Sequence, residues 1–77
     1  MKKQIVQFLL ENQGMVSVQY ISNVLQQPLS AVQSAIEALH QQHPGLLSIS
    51  KEQRDDANMK VKIANYKDKL ARSIIES

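Results

Sequence analysis

The sequence predicts an α+β fold: a three-helix core, a two-stranded β-hairpin and a C-terminal helix. Three observations predict it. Apolar residues recur at helical spacing in three stretches between Lys2 and Leu39, each closed by glycine, proline or amide residues. Two later stretches, "LLSIS" and "MKVKIANY", alternate apolar with polar residues, and the polar run "KEQRDDAN" joins them as a hairpin loop. The tail "YKDKLARSIIES" then returns to helical spacing.

The first helix carries Ile5, Phe8 and Leu9, with Val6 and Leu10 widening its stripe. Asn12-Gln13-Gly14 stops it, because glycine accepts the left-handed conformation that ends helices. Met15-Val16 can form a short strand. Ser17 suits the N-cap of a second helix with Val18, Ile21, Val24 and Leu25 as its apolar positions. Gln26-Gln27 makes the turn. Pro28 opens a third helix, where its missing N–H is not needed. Val32, Ala35, Ile36 and Leu39 form the core face of that helix, and Pro44-Gly45 ends it. In the hairpin, Leu47 and Ile49 oppose Ser48 and Ser50, and Met59, Val61 and Ile63 oppose Lys60 and Lys62. Tyr66, Leu70 and Ile74 give the last helix its apolar side.

Seventy-seven residues make one domain, which at this size buries only about 60% of its surface. Hydrophobic residues are 43% of the chain, enough for a single core. Cysteine is absent, which excludes disulfides and zinc–thiolate sites. The apolar run after Lys2 and Lys3 is broken by Gln7 and Glu11 and has no cleavage site, so it does not read as a signal peptide. No stretch approaches a membrane span. A soluble, cytoplasmic protein with no membrane partner is expected. The net charge is +2 and unevenly spread. Residues 1–50 carry two lysines and two glutamates, against seven basic and five acidic residues in 51–77. Nine glutamines in the first part give it a polar but uncharged surface.

Ile21, Ser22, Leu25, Val32, Ile36 and Leu39 sit where two helices crossing at a fixed angle face each other and the first helix. Small Ser22 allows their close approach. This spacing resembles the winged helix-turn-helix superfamily, of the bacterial or phage transcriptional-regulator type, over residues 5 to 66. The resemblance implies a single winged-helix domain over 1–77. Its helix-turn-helix would span about 18–42, its wing 46–65 and its C-terminal helix 66–76. Two departures stand out: Gln26 replaces the usual turn glycine, and Pro28 replaces the usual Ser or Thr cap. The stretch "ISNVLQQP…AVQSAIEAL" also looks like the small winged-helix accessory proteins of ferrous-iron transport. Their cysteine-rich wing has no counterpart here, so iron or cluster binding does not carry over.

The resemblance implies a small regulator of transcription that binds double-stranded DNA, acting as a dimer. Its third helix would enter the major groove, where Gln can read adenine and Ser either partner. Ser30, Gln33 and Ser34 are the base-reading candidates, on an outward face shared with Leu29 and Glu37. No lysine or arginine lies between Pro28 and Gly45. Phosphates must therefore be held from elsewhere: by Lys2 and Lys3 at the N-terminus, and by Lys51, Arg54, Lys60 and Lys62 in the wing. Glu52, Asp55 and Asp56 sit poorly against a minor groove. With the uncharged third helix, they motivate an alternative: a protein-interaction module or accessory protein without DNA binding.

Other chemistry finds little footing. His40 and His43 have metal-ligand spacing but no further ligands nearby, and histidines near a helix end also satisfy its carbonyls. Asp55-Asp56 lies in a loop without the water-poor pocket that shifts a carboxylate pKa. Gly14 and Gly45 are the only glycines, so there is no phosphate-cradling loop. No catalytic residues, metal or cofactor are expected, and the chain does not read as an enzyme. Phe8 belongs to the core, with Tyr20 and Tyr66 over its edges; three aromatics are too few for single-strand stacking. In the last helix, Leu70, Ile74 and Ile75 either pack back on their own domain or pair with a second copy. The second reading is favoured.

Overall fold

A computed structural model describes residues 1–12, 14–50 and 59–77. The elements run α1 (Lys2–Glu11), β1 (Val16–Ser17), α2 (Val18–Leu25), α3 (Leu29–Gln42), β2 (Leu47–Ser50), β3 (Lys60–Ile63) and α4 (Asp68–Glu76). Alternation aligns the hairpin as expected: Leu47 faces Ile63, Ile49 faces Val61, and Ser48 and Ser50 face Lys62 and Lys60. The sheet has three strands in the order β1-β3-β2, all antiparallel. The expected two-stranded hairpin therefore gains an edge strand, with Val16 opposite Val61 and Ser17 opposite Lys60.

The helices meet over one core. Ile5, Val6 and Leu9 of α1, Val18 and Ile21 of α2, and Val32, Ile36 and Leu39 of α3 are all buried, together with Val61 of the sheet. Each fully buried aliphatic of this size contributes roughly 1.5–3 kcal/mol. Ser17 ends β1 and caps α2, its Oγ accepting from the Tyr20 N–H at 3.0 Å.

Three expected placements are corrected. Tyr66 neither starts the last helix nor covers the core. It is 99% exposed with φ 68°, inside a turn that the Lys67 N–H closes on the Ala64 carbonyl at 3.1 Å. Val24 is 46% exposed, because α2 is only two turns long and Leu25 takes the inward position. Leu29 is packed against the core rather than on the outward face of α3. Tyr20, 53% exposed, does lie over the core's edge at Phe8, their rings tilted at 51° with centroids 5.9 Å apart.

Helix α4 lies mainly against α1. Ala71 is buried there, and Leu70, Ile74 and Ile75 are partly buried against their own core. The intramolecular alternative for this helix thus takes up most of its apolar side.

Candidate nucleic-acid interface

The presentation of α3 depends on the turn before it. Gln26 ends α2 in the left-handed conformation, φ 56° and ψ 45°. This is the geometry for which the position usually holds glycine. An L-residue there costs about 1–2 kcal/mol. Buried Ser22 offsets part of this cost: its Oγ donates to the Gln27 carbonyl at 2.6 Å, and the Gln27 N–H donates to the Ser22 carbonyl at 3.1 Å. Pro28 then caps α3 with extended ψ 144° and no side-chain hydrogen bond. The first amides of α3 are thus left without a capping side chain, at the positive end of the helix dipole.

Ser30, Ser34, Glu37 and Gln41 are exposed, and Gln33 is half-buried beside them. Their spacing places the four exposed residues along one side of α3, with Ser30 to Glu37 spanning about 10 Å of axis. The structure therefore brings the three base-reading candidates together. Gln41 extends their stripe, and Glu37 puts a carboxylate in the middle of it. His40 is exposed and His43 caps the helix end; its N–H donates to the Leu39 carbonyl at 2.9 Å.

The phosphate-binding candidates are not gathered at this stripe. Lys60 and Lys62 lie on the outer face of the sheet, in cross-strand rows with Ser17, Ser50 and Ser48. Helix α3 meets the inner face, where Ile36, Glu37, His40 and Gln41 share a groove of about 280 Å³ with Ile49 and Met59. Lys60 is exposed, whereas Lys62 is half-buried and its Nζ donates to Asn65 Oδ1 at 3.3 Å. Lys2 donates to Gln42 Oε1 at 3.3 Å, at the far end of α3 from Ser30. Lys3 donates to the Ser77 carbonyl. Lys51 and Arg54 lie outside the described residues.

Sequence reasoning missed the exposed pair Tyr20 and Val24. The signal was present: one turn apart on α2, they make its apolar stripe wider than a short helix can bury.

No protein-family model matches the chain, and no curated protein matches it. Solved structures do. Three structures of mutant forms of ZitR from Lactococcus lactis match with TM-scores of 0.70 to 0.71 at 19% identity, one of them in the apo form. The alignments cover 97% of this chain and 49–54% of those chains, so this chain spans about half their length. Among the described residues, four helices with a three-stranded antiparallel sheet, superposing at that level, constitute a winged-helix fold. No helix among the described residues is long and apolar enough to cross a membrane.

Proposed function

We propose that the protein binds double-stranded DNA through α3 and regulates transcription. The carrying observation is the outward polar stripe of α3, held by the Gln26 turn with Ser30 and Ser34 exposed and Gln33 beside them. Those side chains would read base edges from the major groove. The uncapped first turn of α3 would take a phosphate. Lys60 and Lys62 would hold phosphates flanking the groove, joined by Lys51 and Arg54. Lys2 and Lys3 would reach only the flank beyond the C-terminal end of α3. A homodimer would double these contacts.

The test is fluorescence anisotropy on random duplex DNA across a salt series. Each phosphate contact contributes a slope of about 0.9 in log affinity against log salt. Lys60→Glu with Lys62→Glu should flatten the slope by roughly 2 and abolish binding at moderate salt. Affinity indifferent to salt and to both substitutions would defeat the reading.

Glu37, central in the stripe and without a neighbouring cation on α3, favours a second reading. In it, the same serine- and glutamine-rich face docks a protein. Absence of DNA binding even at low salt, with a partner retained after nuclease treatment, selects that reading.

A further inference from the structure

An exposed apolar feature lies across α1, α2 and the end of α4. Phe8, Leu25 and Ile75 line a groove of about 420 Å³ there. Tyr20 stacks on Phe8 at 5.9 Å and continues the patch, and Val24 lies one turn further along α2. Tyr20 and Val24 are 53% and 46% exposed. The rim is amide-rich: Gln19 donates to Asn23 at 3.3 Å across α2, and Gln7 lies on α1. Exposed aromatic and aliphatic surface with a polar rim is the composition of a protein–protein interface.

Two charges on this face identify the occupant. Lys3, Gln7 and Glu11 all line the groove and recur every four residues along α1. They form a stripe about 12 Å long with opposite charges at its ends. We propose that this face is a homodimer interface, in which two α1 helices lie antiparallel about a two-fold axis near Gln7. An isologous contact sets a patch against itself. Lys3 of each copy then meets Glu11 of the other, and the Phe8–Tyr20–Val24 surface of each is covered. Within the chain, Lys3 donates to the Ser77 carbonyl, Gln7 donates to Glu11 Oε1 at 2.8 Å, and Arg72 lines an adjoining groove with Glu11. Lys3 and Glu11 stay exposed and are too far apart to pair with each other in one copy. This inference goes beyond DNA binding and stands without it.

Sedimentation equilibrium of the full chain tests it, with circular dichroism to confirm that each variant is folded. The wild type should dimerise with a dissociation constant below about 1 mM. Lys3→Glu and Glu11→Lys should each weaken the dimer roughly tenfold, since each creates two like-charge contacts. The double variant should return to within roughly threefold of wild type. The swap restores neither the Lys3–Ser77 bond nor the Glu11–Arg72 proximity, so its recovery reports a contact between copies. Val24→Ser should weaken the dimer without unfolding the chain. A wild type that stays monomeric at about 1 mM overturns the proposal. So does a double variant no better than the single ones.

Discussion

Replacing Gln26 with glycine should make this protein more stable. Gln26 is exposed and stands at φ 56° and ψ 45°. Its β-carbon is therefore held in a conformation that costs an L-residue about 1–2 kcal/mol. Glycine removes that cost but enlarges the freedom of the unfolded chain, which returns about 0.4–1 kcal/mol. The balance is a gain of about 0.8 kcal/mol, or a rise in Tm of about 3–6 °C for a domain of this size. Thermal unfolding followed by circular dichroism reads this directly, and urea titration gives the free energy. Gln26→Ala is the control. It keeps the β-carbon and should stay within about 0.5 kcal/mol of wild type. The neighbouring hydrogen bonds between Ser22 and Gln27 are made by a side chain and backbone that neither substitution alters. A Gln26→Gly protein no more stable than Gln26→Ala would refute the reasoning, because the left-handed backbone would then carry no cost.

Two further outcomes follow from local geometry. Tyr66→Gly should also stabilise the fold, by about 0.5–1 kcal/mol, since Tyr66 has φ 68° and is 99% exposed, leaving little contact to lose. A lower midpoint in urea would instead show that the ring holds a contact in the folded chain. Ser17→Ala removes the 3.0 Å cap on the Tyr20 amide and should cost about 1 kcal/mol. An unchanged Tm would mean that pairing with Lys60 in the sheet, not the cap, fixes the start of α2.

The parts of the fold that were legible in the sequence are those written as repetition. Val32, Ile36 and Leu39 bury because helical spacing puts them on one side, and Leu47 and Ile49 share the inner face because strands alternate. The illegible parts turn on backbone geometry or on a choice of partner. Nothing in the letters at Tyr66 marks a left-handed residue, and at Gln26 only its place at the usual turn glycine does, because neither is glycine or asparagine. Strand β1 has two residues, too few to show a period. The apolar side of α4 would look the same whether it covered its own α1 or another chain. On the candidate interface, Ser30 and Ser34 are exposed with Gln33 half-buried beside them, as helical spacing implies. Alternation also set Lys60 and Lys62 opposite Met59, Val61 and Ile63, whose burial puts the lysines on the sheet face away from the core.

That separation constrains how such a protein can work. Helix α3 contributes side chains able to discriminate bases but no cation, and its Glu37 opposes a phosphate. Of the described lysines near the hairpin, Lys60 is exposed while Lys62 is engaged with Asn65. In the proposed reading one copy would neutralise about two phosphates from these positions, a salt slope of roughly 2 and an affinity of the non-specific kind. Useful affinity must come from elsewhere on the chain or from a second copy. A second copy seated on α1 and α2 satisfies this requirement without cost to reading. None of Ser30, Gln33, Ser34 or Glu37 lines the groove it would cover. Taken together, the two proposals would divide the work: α3 would supply selectivity in each copy, and the pair would supply affinity.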